Sequence, residues 1–489
     1  MTAFLSPAPD AWVRPAWRSW ALLALVAIVA RAATFGNPNV HVDEDFYFVF
    51  ARAMIDGAVA YVDIWDRKPI GLMLVYAPAA MAGVGAGVLI YQAMALAAAV
   101  STALMIHNLA HRAGSEVGAI IAAIAYLLWL NLLEGQGGQA PVFYNALMAG
   151  AALVIVAGDG FRRGLVAMAL VGLALQIKYS AVFEGAFFGL WLIWRDWRAG
   201  RSLKKTSLRG LGWATAALLP TALAYAVFAG AGHGAAFVYA NFTSILDRQP
   251  DPMAEQLGNL AKIVLITSPL LAMAALGWRG GRNAVASFLY AWLAAALAGL
   301  LVFGSWFDHY ALPLLVPAAC CAARFAGQRW RVAIGVLAVV LIGGQATIIA
   351  KRVTRGGPDQ FAALVSAIGR GPGCLYVYSG PSLLYPASAR CAPTAYRFPS
   401  HLGRSRERGA IGVDQAAEIR RILAGRPEVV VMRPVYRGER PEVRTLVLGS
   451  LARTHRLAAR LPLGNERISI YRAAAGADGT ASRSSISPE

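Results

Sequence analysis

Nine apolar runs, each close to 20 residues long, constrain the fold of this 489-residue chain more than any other feature. A helix needs about 20 apolar residues to cross ~30 Å of hydrocarbon. Hydrophobic residues make up 58% of the sequence and charged residues 15%, which is too apolar for a soluble protein of several domains. The sequence therefore predicts a polytopic α-helical membrane protein. The runs are 18–35, 86–108, 117–133, 141–158, 208–230, 258–277, 284–304, 309–325 and 331–350.

The basic residues between the runs predict how often the chain crosses, because cytoplasmic loops are enriched in Lys and Arg. One crossing is then allowed between Phe35 and Arg112, and the run 86–108 makes it. The short, proline-containing piece 69–84 therefore does not span, and the first extracytoplasmic loop covers 36–85. The clusters expected in the cytoplasm are Arg14/Arg18, His111/Arg112, Arg162/Arg163, 195–209, Arg279/Arg282 and 324–331.

The interval 164–194 is flanked by basic residues on both sides and must contain an even number of crossings. Each half has about 15 residues, or roughly 22 Å at ~1.5 Å per residue. The turn near Lys178 would then lie below the outer surface, where a charge costs at least ~2.5 kcal/mol and usually has a partner or a function. A lysine that snorkels to the headgroups is the alternative. The total is eleven spans, which leaves the C-terminus outside.

The composition changes after the last run. The segments "CLYVYS", "VVVMRP" and "RISIYR" are typical of strands, while "DQAAEIRRILAG" and "PEVRTLVLGSLA" have helical spacing. We expect a transmembrane domain over 1–353, an extracytoplasmic α/β domain over 354–474 and a disordered tail over 475–489. Cys374 and Cys391 are one possible disulfide bridge.

Residues 41–71 contain six carboxylates in a chain of formal net charge +19. Apolar residues recur at helical spacing over 44–56, which predicts an amphipathic helix lying on the membrane. Asp43 directly precedes this helix and is either its N-cap or a chemical group. Downstream, Asp66, Arg67 and Lys68 lie just before the proline that opens the non-spanning piece.

This combination of carboxylate and cations suits the transfer of a sugar from a lipid phosphate. An acceptor hydroxyl loses a proton as it attacks, and a positioned general base contributes about 10²–10⁴-fold to such a step. The leaving phosphate needs cations that stabilise its developing charge. Lys68, Arg67 and Lys178 are the candidates for this second part.

The stretch "VDEDFYFVFARAMIDGAVAYVDIWDRKPIG" resembles the first-loop signature of the GT-C glycosyltransferases, in the branch of protein O-mannosyltransferases and lipid A aminoarabinose transferases. The segment "WFDHYALPLLVPA" at 306–318, which contains His309 and Tyr310, is similar to another feature of that branch. The resemblance covers roughly 15–350. It implies a GT-C-like fold of about 11 transmembrane helices with outer-face amphipathic helices.

The resemblance also implies roles for particular residues. Asp43 would be the base that activates the acceptor, with Glu44 supporting it, and Lys68 would bind the carrier phosphate. His309 and Tyr310 are also candidates for binding the donor phosphate, although His309 could instead contact the acceptor or be an interfacial histidine. The donor would be a polyprenyl-phosphate sugar, with inversion at the anomeric carbon.

The chain departs from the family pattern at two places. Many relatives have an acid just before the Lys-Pro pair, whereas here Arg67 separates Asp66 from Lys68. Many also carry an acid in the outer loop before the fourth span, where either Glu134 or Gln139 could serve as an acidic or polar group. The identity of the second carboxylate is thus open.

A required metal or other cofactor is not predicted, because the His41, Asp43 and Asp45 pattern is unspecific for a divalent cation. The expected acceptor is a glycolipid, a polysaccharide or a protein, and the expected location is the bacterial inner membrane. Nucleic acid is not an expected partner, since no basic helix accompanies the charge. A transporter or flippase for a lipid-linked glycan and an inert membrane scaffold with an outer binding domain are the alternatives.

Overall fold

A computed structural model describes residues 17–278 and 283–474 of the chain. Its first 340 or so residues form long helices joined mostly by short loops. These helices are α1 (Trp17–Arg31), α2 (Val42–Ile55), α3 (Ile70–Met81), α4 (Gly83–Arg112), α5 (Glu116–Trp129), α6 (Ala140–Val156), α7 (Phe161–Leu175), α8 (Val182–Arg198), α9 (Leu203–Gly230), α10 (Gly234–Val238), α11 (Met253–Gly277), α12 (Ala284–Phe303), α13 (Leu315–Gln328) and α14 (Trp330–Arg355).

The helices α1, α4 to α9 and α11 to α14 coincide with the predicted spans. By length and composition, seven helices of the described ranges are long and apolar enough to cross a membrane. The helices α7 and α8 are shorter, with 15 and 17 residues, and they meet in the loop that holds Lys178, as predicted. The total of eleven spans stays a prediction, and Arg14, Arg279, Arg282 and the tail 475–489 lie outside the described residues.

The first loop contains two helices that do not belong to the predicted spans. The helix α2 matches the predicted amphipathic helix, and α3 has 12 residues with Pro78 inside it, which is too short to cross. His41, and not Asp43, is the N-cap of α2, because its Nδ1 atom accepts a hydrogen bond from the backbone N–H of Asp43 at 3.2 Å. Asp43 therefore does not cap the helix.

The α2 helix is more deeply buried than its sequence pattern indicates. Residues 44–51 are all buried, so the helix is covered on more than one face. Phe46 packs on Phe398 of the C-terminal region, with ring centroids 5.0 Å apart. The helix thus lies between the membrane helices and the C-terminal domain.

The C-terminal domain, residues 358–474, combines helices with one four-stranded sheet. Its sheet has the order β1-β2-β4-β3, with β1 parallel to β2 and the other pairs antiparallel. A disulfide joins Cys374 to Cys391 beside the first strand. The elements are α15 (Pro358–Ile368), β1 (Leu375–Val377), α16 (Leu384–Ser388), α17 (Pro399–Gly403), α18 (Gln415–Ala424), β2 (Val429–Met432), α19 (Pro441–Thr454), β3 (His455–Leu463) and β4 (Glu466–Ala473).

All three predicted strands and both predicted helices are present as β1, β2, β4, α18 and α19. The strand β3 was not predicted. Its sequence, "HRLAARLPL", contains no β-branched or aromatic residue and is rich in Leu, Ala and Arg, which favour helices. It becomes a strand because it pairs along the edge of the sheet with β4.

The start of α3 packs directly against the loop between α7 and α8. A Cβ atom at Gly71 would lie 2.6 Å from the Cβ of Gln176, so only glycine permits this approach. The backbone N–H of Leu72 donates to the carbonyl of Gln176 at 3.0 Å. This contact brings the segment that carries Lys68 next to the loop that carries Lys178.

Candidate active site

A cavity of about 370 Å³ lies between the first loop, the helix ends that meet it and the C-terminal domain. Eight of the ten predicted site residues line this cavity, although they come from four separate parts of the sequence. They are Asp43, Asp66, Arg67, Lys68, Glu134, Lys178, His309 and Tyr310. The two others, Glu44 and Gln139, do not line it.

Asp43 lies in the first turn of α2, with its carboxylate directed to the cavity. Its Oδ2 atom accepts a hydrogen bond of 3.0 Å from Nε2 of Gln139. Burial alone would raise the pKa of Asp43, but the neighbouring imidazole of His41 and ammonium of Lys68 outweigh burial and hold that pKa well below its usual range. The carboxylate is therefore ionised at neutral pH and has an oxygen free to accept a proton.

Gln139 connects Asp43 to the rest of the site. Its Oε1 atom accepts from the hydroxyl of Tyr47 at 3.2 Å, and its Nε2 atom lies 3.2 Å from Nδ1 of His41. Gln139 also caps α6. A neutral amide fits here, because a second carboxylate beside Asp43 would raise the pKa of both groups.

Glu134 is the second carboxylate of the cavity, and four cationic or imidazole groups surround it. Its oxygens lie 2.9 Å from Nε2 of His41, 3.0 Å from Nζ of Lys351 and 3.0 Å from the Arg355 guanidinium. The ring of His309 is 3.5 Å away. Burial would raise the pKa of Glu134, but His41 and the other neighbours hold it far below its usual range. Glu134 is therefore ionised and holds its cationic and imidazole neighbours in place, and it does not serve as a proton acceptor.

Glu44, which was expected to support Asp43, does not line the cavity. Its side chain is fully buried on another face of α2, where a Cβ atom on Gly137 would lie 2.4 Å from its Oε2 atom. Burial raises the pKa of Glu44. Glu44 is turned by about 100° around the helix from Asp43, and its carboxylate lies against Gly137 instead of the cavity.

Lys68 faces the cavity, whereas the neighbouring Arg67 turns to the C-terminal domain. The Nζ atom of Lys68 lies 3.9 Å from Oδ2 of Asp66 and above the ring of Tyr47. Burial would lower the pKa of Lys68, but the carboxylates of Asp66 and Asp43 raise it above its usual value. Lys68 is therefore a permanent positive charge.

Arg67 is already paired. Its guanidinium lies 2.5 Å from Oε2 of Glu407, donates to Ser244 at 3.1 Å and stacks over the ring of Trp65. The phosphate-binding role predicted for Arg67 competes with this pairing. Asp63, in the same loop, accepts a hydrogen bond from the backbone N–H of Val59.

Lys178 lies in the loop between α7 and α8, at the floor of the cavity. Its Nζ atom is 4.5 Å from the centre of the Tyr310 ring, and none of the carboxylates in the described ranges is within ion-pair distance of it. Burial and the nearby charge of Lys68 lower the pKa of Lys178 to about 7. An anion that enters the cavity would supply the partner that this ammonium lacks.

The lowered pKa of Lys178 predicts that anion binding depends on pH. The free site holds a charged Lys178 below pH 7 and a neutral one above it, while a bound phosphate favours the charged form. We therefore expect the affinity for a polyprenyl phosphate, the carrier class expected from the sequence, to fall between pH 7 and pH 9, by up to about tenfold per unit. The phosphate itself is already ionised in this range.

Titration of the wild-type protein and a Lys178→Met variant with a polyprenyl phosphate at several pH values measures this effect. The variant should bind more weakly at pH 7 and show little change up to pH 9. An equal fall in both proteins would contradict the assignment to Lys178.

His309 and Tyr310 occupy a short helical turn beside Lys178. Burial lowers the pKa of His309 to about 4, so its ring is neutral at physiological pH. The ring meets that of His41 edge to face, with centroids 5.9 Å apart. His309 thus completes the imidazole pair around Glu134, and Tyr310 forms the wall next to Lys178.

A divalent cation would find one set of three ligands in the described part of the chain. Ligand atoms of His41, Asp43 and His309 all lie within 4.8 Å of one another. Asp45, which the sequence pattern suggested, is buried elsewhere, with its carboxylate close to Arg355 and not to this set. Two imidazoles and a carboxylate suit a metal such as Zn²⁺, although His41 already faces Glu134 and Gln139.

Sequence reasoning missed several groups of the site. The C-terminal domain contributes Phe398, His401 and Glu407 to the cavity wall, and α14 contributes Arg355. One signal was present, because the basic residues at the end of α14 lie on the predicted outer side and break the positive-inside rule. Such an exception indicates that these basic residues have another role, and in the structure Lys351 and Arg355 pair with Glu134.

The helices and the C-terminal sheet have a GT-C-like fold, and the chain is a multi-pass membrane protein. The structure of ArnT from Cupriavidus metallidurans bound to undecaprenyl phosphate is similar, with a TM-score of 0.63 at 13% identity over 93% of this chain and 97% of that one. The apo form gives 0.65 at 14% identity over 93% and 98%.

The apo oligosaccharyltransferase of Archaeoglobus fulgidus is also similar, with a TM-score of 0.54 at 12% identity over 86% of this chain and 70% of that one. At these identities the likeness concerns the fold. No protein-family model matches the sequence, and no curated protein sequence matches it either.

Proposed function

We propose that the chain is a glycosyltransferase that moves a sugar from a polyprenyl-phosphate carrier to an acceptor hydroxyl. The observation that carries this proposal is the joining, in one cavity, of the ionised Asp43 carboxylate with the ammonium groups of Lys68 and Lys178. The fold shared with ArnT, a protein that binds undecaprenyl phosphate, supports a carrier of this kind.

In the proposed step the acceptor oxygen attacks the anomeric carbon from the side opposite the phosphate. The bond between this carbon and the phosphate oxygen breaks, and the polyprenyl phosphate leaves with the electron pair. The acceptor proton passes to Asp43, while Lys68 and Lys178 stabilise the charge that develops on the leaving phosphate. A single displacement inverts the configuration of the sugar.

The pKa of Asp43 is low in the free site, and the bound donor would change it in the direction that the proposed step needs. Lys68 contributes to the low value through its charge. A bound phosphate would neutralise part of that charge and raise the pKa of Asp43. The base would therefore become stronger when the donor is present.

The ends of the helices support an extracytoplasmic active site. The α8 helix begins beside Lys178 and ends at Arg198, and α4 begins next to the first loop and ends at Arg112. The basic ends are expected in the cytoplasm, which supports a cavity that opens at the opposite surface. The disulfide between Cys374 and Cys391 fits an oxidising compartment such as the periplasm. The inner membrane of a bacterium is the proposed location.

The proposed displacement needs no cofactor, because Asp43 supplies the base and the two lysines supply the countercharge. A metal held by His41, Asp43 and His309 would stabilise negative charge at the same place. The acceptor remains within the classes named above, a glycolipid, a polysaccharide or a protein.

A panel of polyprenyl-phosphate sugars, incubated with the purified protein and bacterial membrane extract, tests the function. Transfer of label from one donor to an extract component is the expected result. If labelled lipid instead crosses the bilayer of proteoliposomes with no donor consumed, the chain is a transporter. If neither occurs with any donor, the glycosyltransferase proposal is wrong.

A further inference from the structure

Three arginines outside the predicted site line the same cavity on the side of the C-terminal domain. Arg248 comes from the loop before α11, and Arg404 and Arg406 come from the segment that follows α17. We call these three residues the rim arginines. Neither the proposed base nor the proposed lysines account for them.

The rim arginines have fewer carboxylate partners than positive charges. Glu407 lies 2.7 Å from Arg248, 2.5 Å from Arg67 and 3.7 Å from Arg406, so one carboxylate serves three guanidinium groups. Arg406 lies 3.3 Å from Asp251. No carboxylate of the described ranges lies within ion-pair distance of Arg404, and its guanidinium donates a long hydrogen bond of 3.4 Å to the carbonyl of Arg437.

These guanidinium groups are also largely withdrawn from water. The side chain of Arg248 is 20% exposed and that of Arg406 is 16% exposed. Burial and the charge of Arg406 lower the pKa of Arg404. Four guanidinium groups around Glu407 and Asp251 leave an excess of buried positive charge, which is costly unless an anion enters.

The protein backbone holds the rim arginines in place. The backbone N–H of Ser405 donates to the carbonyl of Gly438 at 2.9 Å, and the carbonyl of Arg406 accepts from Gln249 at 3.0 Å. The guanidinium of Arg406 stacks over the ring of Phe307, 4.8 Å from its centre. The positive charges are therefore held in position before an anion binds, so the free-energy cost of ordering these side chains on binding is small.

We propose that the rim arginines bind an anionic group of the acceptor, either a phosphate or a carboxylate. This inference rests on the proposed function, because it assigns the carrier phosphate to Lys68 and Lys178 and the second anion to the opposite wall. Guanidinium groups bind both phosphate and carboxylate in paired geometry. The C-terminal domain, which supplies two of the three arginines, would thus select the acceptor.

Three short-chain probes test the proposal on the full-length protein: hexyl glucoside, hexyl glucoside 6-phosphate and hexyl glucuronide. Binding is measured with saturating undecaprenyl phosphate present, so that the carrier site is already filled. We expect at least one anionic probe to bind wild type about tenfold or more tightly than the neutral one. The tighter of the two anionic probes identifies phosphate or carboxylate as the group recognised.

Variants at Arg404 connect this preference to the rim. Arg404→Gln should remove most of the preference for the anionic probe, and Arg404→Lys should retain part of it. Arg408→Gln is the matched control, since Arg408 is exposed and pairs with Glu442 outside the cavity. The control should behave as wild type.

The proposal is overturned if wild type binds all three probes equally, or if Arg404→Gln keeps the full preference. It is also overturned if Arg404→Gln weakens undecaprenyl phosphate binding and leaves probe binding unchanged, since the rim would then hold the carrier. Sugar transfer from the donor panel is scored separately. A protein that binds anionic probes through Arg404 but consumes no donor would refute the glycosyltransferase function alone.

Discussion

Replacing Asp43 with Asn is expected to lower the rate of sugar transfer by about 10²–10⁴-fold, the contribution of a positioned general base. Asn keeps the size of the side chain and can still meet Gln139, but it cannot take the proton of the acceptor. The affinity for undecaprenyl phosphate should not fall, because the change removes a negative charge close to Lys68. Initial rates with the active donor, together with donor binding, measure both effects.

Asp63→Asn is the matched control for this prediction. Asp63 belongs to the same loop but is exposed and does not line the cavity. The control should transfer sugar at nearly the wild-type rate. If Asp43→Asn also does so, another group takes the proton.

Replacing Lys68 with Met is expected to weaken the binding of undecaprenyl phosphate by about 10- to 100-fold. The substitution removes one charge-assisted hydrogen bond, which is worth ~1.5–3 kcal/mol. It also removes a positive charge that lowers the pKa of Asp43, so the carboxylate should titrate at a higher pH. Equilibrium binding of undecaprenyl phosphate at pH 7 gives the first value directly.

Lys204→Met provides the control for loss of a lysine. Lys204 is exposed at the start of α9, near the basic helix ends and away from the cavity. This variant should bind undecaprenyl phosphate as wild type does. Equal affinity of Lys68→Met and wild type would remove Lys68 from the carrier site.

Much of the fold could be predicted because the bilayer imposes a simple rule on the sequence. Apolar runs of fixed length and the charges between them located the helices, including the pair α7 and α8 that meets near Lys178. The same reasoning predicted that α3 does not span. The burial of α2 was not predicted, since its cover comes from Phe398, a residue 352 positions after Phe46 in the chain.

The candidate site was predicted where one local segment carried the chemistry. Asp43 and Lys68 belong to the first loop, and the structure brings both to the cavity. The choice between Glu134 and Gln139 could not be made from the sequence, because it depends on contacts with His41 that only the folded chain creates. Both residues belong to the site, one as an ionised anchor and the other as a neutral hydrogen-bonding group.

Two predicted site residues, Arg67 and Glu44, lie elsewhere than their sequence neighbours suggested, and each has its own physical reason. Arg67 is adjacent to Lys68 in the sequence, but Glu407 draws its side chain to the other wall. Glu44 is adjacent to Asp43, but helical geometry turns it into the interior. Residues that are adjacent in the sequence can therefore point to different parts of the molecule, and the sequence alone does not show which of them faces the cavity.

The position of the carrier phosphate tests the central claim most directly. An experimental structure of the protein with undecaprenyl phosphate bound should show the phosphate in contact with both Lys68 and Lys178, on the side of the cavity that holds Asp43. A phosphate bound among Arg248, Arg404 and Arg406, or outside this cavity, would contradict the account.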